Sequence, residues 1–332
     1  MIRRLYPLFL LSGLFIALSA CQQPSPTPAS TPDTSFMQLE FGALHQVSDY
    51  PLYELHYTGS TGLDDYLKKN APSGSQFSPF ACSVFAVPGV DGQALLGRNF
   101  DWDLHPAMLL FTDPPDALAS VSMVDLHYLG YSAEKTPLQD PAALQRAPFL
   151  PFDGMNEAGL AVGMMAVNHA EGGSDPAKTT LEDLDLIRLW LDRAHNVPEA
   201  IQLLDGFNLR FEEVPLHYLV ADASGAAALV EFVDGKPVVQ YGDANGLVST
   251  NFIVAEEKPE GANSSCNRYN HMFSVLQGSA GRLDAPQGLT LLKEVSQPTT
   301  RWSVVYNLAK KEITLVMGRD YAQPLRFTLP PP

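Results

Sequence analysis

Apolar and polar positions along this chain alternate in short runs broken by turn signals, and one stretch in the middle switches to helical spacing. The runs Cys82 to Val87 and Ala94 to Phe100 flank Pro88-Gly89-Val90-Asp91-Gly92, which predicts strand, turn, strand. Asn156 to Val167 repeats the idea, with a turn around Glu157-Ala158-Gly159 and an apolar strand after it. Thr179 and Thr180, followed by Glu182 and Asp183, read as the capped start of a helix that carries Leu184, Ile187, Trp190 and Leu191. Asn196-Val197-Pro198-Glu199 starts a second helix. Beyond it, His217 to Ala221, Ala227 to Phe232 and Pro237 to Gln240 read as strands separated by Ser224-Gly225 and Asp234-Gly235. Trp302 to Tyr306 and Ile313 to Met317 form a last hairpin across Ala309-Lys310-Lys311. Strands consecutive in sequence, interrupted by a helical block, point to antiparallel sheets covered by helices rather than to a doubly wound parallel sheet.

The one long apolar stretch lies at the N-terminus and changes this picture little. Arg3 and Arg4 precede the apolar run Leu5 to Leu18, which is short for a membrane span, and the small residues Ser19 and Ala20 follow. Leu18-Ser19-Ala20-Cys21 resembles a bacterial lipobox, so residues 1–20 are expected to be a signal peptide and Cys21 the lipidated first residue of the mature chain. Gln22 to Ser35 is rich in Pro, Ser and Thr and reads as a stalk, part of a tether over residues 21–35. Extended at about 3.1 Å per residue, the stalk spans roughly 40 Å. From Phe36 onward no second linker or repeat occurs, which predicts a single domain. The expected setting is the bacterial cell envelope, on the periplasmic or extracellular side of a membrane.

Composition excludes whole classes of function. Of the 332 residues, 45% are hydrophobic and 17% charged, which places the chain among globular proteins. Acidic residues outnumber basic ones by 37 to 21, a balance that repels phosphate backbones and argues against nucleic acid as a partner. Loss of residues 1–20 removes two arginines and no acid, so the mature charge moves from −16 to −18.

The candidate chemistry begins with what is missing. No HExxH, CxxC, P-loop or GxGxxG run occurs and the eight histidines are scattered singly, so neither a metal nor a cofactor is expected. Apart from Cys21, the cysteines are Cys82 and Cys266, which in an exported protein form a disulfide by default. The surroundings of Cys82 argue for another role. It opens a strand whose hairpin partner ends in Gly97-Arg98-Asn99-Phe100-Asp101, so pairing brings Arg98 and Asp101 near the thiol. A guanidinium there is expected to lower the thiol pKa and favour the nucleophilic thiolate.

Cys82-Ser83-Val84 with Gly97-Arg98-Asn99-Phe100-Asp101-Trp102 resembles the opening of the choloylglycine hydrolase and penicillin V acylase family, linear-amide hydrolases with an N-terminal nucleophile. Further segments follow in the family's order: Asp153 to Leu160, His217 to Asp222, Ser249-Thr250-Asn251-Phe252, Ser264 to Tyr269 and Trp302 to Tyr306. The resemblance spans roughly residues 50 to 320 and implies an α+β fold, a four-layer αββα sandwich of two antiparallel sheets. It implies cleavage before Cys82, leaving residues 36–81 as a prosegment and 82–332 as the catalytic domain. The new α-amino group, with an ordinary pKa of about 7.7 to 8.0, then serves as the base. Carried over singly, Cys82 is the nucleophile, Asp101 orients the amine, and Arg98 tunes the thiolate. Asn251 donates to the oxyanion and Arg268 completes the polar network. Cys266 is then expected to be a free thiol.

Two departures qualify the match. Where bile salt hydrolases carry a further oxyanion asparagine, this chain has Ala166, so Asn168 or a backbone N–H is the expected substitute. The long segment before Cys82 is closer to the acyltransferase branch of the superfamily, which cuts itself into two chains. The leading expectation is a lipid-anchored amidase acting on a small-molecule N-acyl amide. The alternatives are an acyltransferase using the same thioester and a degenerate solute-binding lipoprotein. Pro106 to Phe111, read as an apolar loop after the first hairpin, is the expected wall of an acyl pocket.

Overall fold

The alternating runs become strands, which the computed structural model describes over residues 44–65, 81–211 and 214–330. Cys21, the signal and the tether lie outside the described residues. In chain order the strands are β1 (His45–Ser48), β2 (Leu52–Tyr57), β3 (Ala81–Val87), β4 (Leu95–Asp101), β5 (Ala107–Thr112), β6 (Ser120–Asp125), β7 (Asp153–Asn156) and β8 (Ala161–Ala166). The short β9 (Thr179–Glu182) leads into α1 (Asp183–Arg193) and α2 (Val197–Leu204). Next come β10 (Phe207–Arg210), β11 (Leu216–Ala221), β12 (Ala227–Val233), β13 (Lys236–Tyr241) and β14 (Leu247–Ser249). Helices α3 (Val254–Glu257), α4 (Asn267–Ser279) and α5 (Ala285–Glu294) precede β15 (Thr300–Asn307), β16 (Glu312–Met317) and β17 (Leu325–Thr328).

Two sheets face each other. The larger has the order β1-β2-β5-β6-β7-β8-β11-β12-β13 and is antiparallel except where β2 runs parallel to β5. The smaller has the order β14-β3-β4-β15-β16-β17 and is antiparallel throughout. The tie from Tyr218 Oη to the Asp183 carbonyl (2.9 Å) and from Asn156 Nδ2 to Leu191 and Ala194 carbonyls holds the α1 region on the outer face of the larger sheet. Asn99 Nδ2 reaches the Leu292 carbonyl (2.8 Å) and holds α5 on the outer face of the smaller one. The fold is therefore an α+β sandwich with helices outside two sheets.

The core lies between the sheets. Phe100 stacks on Trp302 at 4.1 Å and meets Phe152 edge-on at 5.4 Å, linking β4 and β15 to the segment before β7. Such aromatic pairs contribute about 0.5–1.5 kcal/mol beyond their buried area. Gly163 on β8 lies opposite Arg98 and Val84, where even a methyl group would come within 3.3 Å of the Arg98 side chain.

Two local expectations change. Thr179 and Thr180 do not start the helix. They pair in parallel with Phe207 and Asn208, and the helix begins three residues later with a capping box between Glu182 and Asp185. Two threonines favour the extended conformation, and the carboxylates that follow are the better caps. Pro106 to Phe111 is not a loop: Ala107–Thr112 is β5, buried at every position between β2 and β6. A continuous apolar run suits a strand covered on both faces, so it builds core rather than a pocket wall. Residues 45–57, within the segment expected as a prosegment, supply β1 and β2 to the larger sheet, which leaves that expectation as it stands.

Candidate active site

Cys82 sits at the start of β3, paired across to Phe100, while Ala81 pairs with Asp101. Because side chains alternate along a strand, the two neighbours serve opposite faces. Cys82, Val84, Arg98, Phe100 and Trp302 share the face toward the larger sheet. Ala81, Ser83, Asn99 and Asp101 share the face toward the helices. On the inner face, Arg98 Nη2 lies 3.5 Å from Cys82 Sγ, and Nη1 is held by the Phe152 carbonyl (2.7 Å) and by Asp153 Oδ2. Asp153 is in turn fixed by Trp302 Nε1 (3.0 Å) and Tyr306 Oη (2.5 Å), all three side chains being buried.

The backbone of Cys82 is held separately from its thiol. Its N–H donates to Asn251 Oδ1 at 2.8 Å, and its carbonyl accepts from Arg268 Nη1, which also reaches Ser83 Oγ at 2.8 Å. Arg268 Nη2 donates to Asn251 Oδ1 at 2.9 Å, so both ends of the Cys82 peptide are tied to one network. Asn251 Nδ2 donates to the Ala166 carbonyl at 2.8 Å. Asp101 Oδ1 accepts from Thr300 Oγ1 at 2.5 Å. Its Oδ2 is buried, has no hydrogen-bond partner among the described residues, and lies 3.9 Å from Arg268 Nη1. Thr300 faces Asp101 because β15 bulges between Thr300 and Trp302.

Burial dominates the electrostatics of the site. It pushes the Cys82 thiol above its ordinary value, against the pull of the Arg98 charge and hydrogen bond. The expected lowering of the thiol pKa is thus overturned: a wholly buried sulfur loses more from desolvation than one guanidinium returns. Burial alone would lower the Arg98 pKa, but Cys82 and Asp153 outweigh it and raise the value. Asp101 is pushed up to about 6 by burial, with Thr300, Arg268, Arg98 and Arg301 pulling the other way.

Five of the sequence-assigned residues therefore converge: Cys82, Arg98, Asp101, Asn251 and Arg268. Asn168 lies exposed on the loop after β8, and none of the hydrogen bonds of the cluster described above involves it. Cys82 and Cys266 are both free thiols. Sequence reasoning gave no role to Asp153, which opens the family-like segment Asp153 to Leu160, nor to Thr300, Ser83 and the Ala166 carbonyl. An invisible bulge placed Thr300, and Ala166 takes part through its backbone, so neither has a side-chain signal. The acid at 153 was legible as a charged residue opening an apolar hairpin.

Two helix-covered sheets, with a cysteine opening an internal strand, define the architecture of N-terminal nucleophile amidases and acyltransferases. Residues 89–320 match the family model described as acyl-coenzyme A:6-aminopenicillanic acid acyl-transferase, and the chain belongs to that family. The solved structure of penicillin V acylase from Agrobacterium tumefaciens is similar at 19% identity and a TM-score of 0.51, covering 74% of this chain and 84% of that one. A mutant conjugated bile acid hydrolase from Clostridium perfringens is similar at 16% identity and a TM-score of 0.56, covering 75% and 92%. A second variant of that hydrolase gives 15% identity and a TM-score of 0.54, covering 74% and 92%. No curated protein matches the chain.

Proposed function

We propose that the chain is an exported, lipid-anchored amidase that hydrolyses a linear non-peptide N-acyl bond through Cys82, after cutting itself between Ala81 and Cys82. The observation that carries this reading is the separate grip on the thiol and on the backbone of one cysteine. Arg98 faces the sulfur, while Asn251 and Arg268 hold the peptide N–H and carbonyl of the same residue. An ordinary buried cysteine has no need of either.

Cutting proceeds by attack of Sγ on the Ala81 carbonyl carbon, which moves the acyl group from nitrogen to sulfur. Water then hydrolyses the thioester, leaving a carboxylate on Ala81 and a free amine on Cys82. That amine occupies the place of the present N–H beside Asn251 Oδ1. It takes the thiol proton, the thiolate attacks the substrate acyl carbon, and the proton passes to the departing amine. Water resolves the second thioester with the amine as base. An oxyanion donor in such a step is worth about 3 to 4 kcal/mol, and Asn251 is the proposed donor. The buried Asp101 Oδ2 is the acceptor proposed for the ammonium.

Intact-mass analysis tests the processing step: fragments of residues 21–81 and 82–332 are expected, and Cys82→Ala leaves one uncut chain. An active enzyme with an intact Ala81-Cys82 bond overturns the proposal. A panel of bile-acid conjugates, phenoxyacyl penicillins, acyl-homoserine lactones and N-acyl amino acids, read by released amine, identifies the substrate class. The family description favours a second reading, acyl transfer to an amine. Added amine acceptor distinguishes the two, since a transferase diverts the acyl group into a new amide while an amidase releases the free acid.

A further inference from the structure

His217 is the one wholly buried histidine of the eight, and the reaction steps above do not use it. It lies on β11, with its partner Glu231 beside it on β12, also buried. His217 Nδ1 lies 3.0 Å from Glu231 Oε1, and Nε2 lies 2.7 Å from the Thr250 carbonyl and 3.4 Å from Ser249 Oγ. Glu231 also accepts from two backbone donors at the start of α3: Val254 N on Oε1 (2.8 Å) and Ala255 N on Oε2 (2.7 Å). The pair therefore grips the chain at residue 250 and again at residues 254 and 255. Between those anchors sits Asn251, which has a fixed place against Cys82 N, Arg268 and Ala166.

We infer that His217 and Glu231 are positioning residues for Asn251, acting as a buried ion pair that clamps both sides of the loop carrying it. The inference rests on the proposed amidase reading and extends it to two residues that touch neither thiol nor substrate. A carbonyl accepts only, so Nε2 carries a hydrogen. A carboxylate that already accepts two backbone N–H groups faces Nδ1 as an acceptor too, so Nδ1 carries the second. The ring is then an imidazolium, and its charge is matched by Glu231 in a site closed to water. A neutral core histidine needs one donor contact; this one gives two, each to a group that fixes the same loop. The geometry matters because a shift of about 1 Å in a group aimed at the reacting atoms costs on the order of a hundredfold in rate.

Two measurements test the inference. In the uncut Cys82→Ala chain, nitrogen-15 spectra of labelled histidine are expected to show one ring with two slowly exchanging N–H signals, belonging to the buried His217. A single ring proton overturns the ion pair, and this readout stands whether or not the enzyme turns over. In the active chain, His217→Gln is expected to slow both self-cleavage and kcat at least tenfold, with KM within twofold. In an Asn251→Ala background the same change is expected to add less than twofold, because its target is already gone. An equal loss in both backgrounds, or unchanged rates in folded His217→Gln, overturns the positioning role. If His217→Gln fails to fold, the neutral pair His217→Gln with Glu231→Gln takes its place in the cycle, with the same expectations. A wild-type chain that neither cuts itself nor releases amine defeats the amidase reading, while the two-proton signal is decided separately.

Discussion

At the residue scale, the fate of a group here is set by what surrounds it after folding. Asp101 illustrates the conflict: burial raises its pKa to about 6, while the proposed role needs it charged. A pKa raised from 3.8 means stability that is fully present below about pH 3.8 and lost as pH rises through about 6. In an uncut background, Asp101→Asn is therefore expected to be more stable than its parent at pH 7, by about 2 to 3 kcal/mol, with the gap closing by pH 4. Thermal unfolding at the two pH values checks this, and in the wild-type background the same change is expected to lower turnover by orders of magnitude with little effect on KM. Arg268→Lys is expected to cost at least tenfold in self-cleavage rate. A single ammonium cannot serve the Cys82 carbonyl, Ser83 Oγ and Asn251 Oδ1 from one planar fork. Cys266→Ser is expected to retain most activity, since Cys266 is a free thiol with no part in the network, and an amide-release assay measures it.

At the scale of elements, the strands before Cys82 bear most on the proposed processing. β2 pairs with β5 over six residue positions, from Leu52 with Ala107 to Tyr57 with Thr112, and its side chains at Leu52, Tyr53, Leu55 and Tyr57 are buried. Thr61 Oγ1 then reaches Asp192 Oδ2 at 3.0 Å at the end of α1. Cutting at Ala81 breaks one peptide bond and none of these contacts. The two fragments are expected to co-elute on size-exclusion chromatography after complete processing and to separate only in denaturant. Dissociation in native buffer would show that the sheet survives without its first two strands. The hairpin of β3 and β4 is the complementary case, because its register alone brings Arg98 to the inner face with Cys82 and puts Asp101 on the other.

For the whole molecule, the proposed lipid on Cys21 and the paired strands combine into one expectation: the cut catalytic fragment travels with the membrane although no covalent bond joins it to the lipid. Fractionation is expected to find residues 82–332 in the membrane pellet, and Cys21→Ser to release both fragments together. By itself the sequence determined the hairpins, the antiparallel sheets with outer helices, and the convergence of Cys82, Arg98, Asp101, Asn251 and Arg268. These were legible because strand periodicity is local and because the family-like segments recur in order. Only the tertiary structure decided that Pro106 to Phe111 is core, that Thr300 faces Asp101, that Asp153 holds Arg98, and that β1 and β2 belong to the larger sheet. It also decided the state of the thiol. Spacing brings a guanidinium to sulfur, but desolvation depends on everything packed around the pair, and in the uncut chain that packing outweighs the guanidinium.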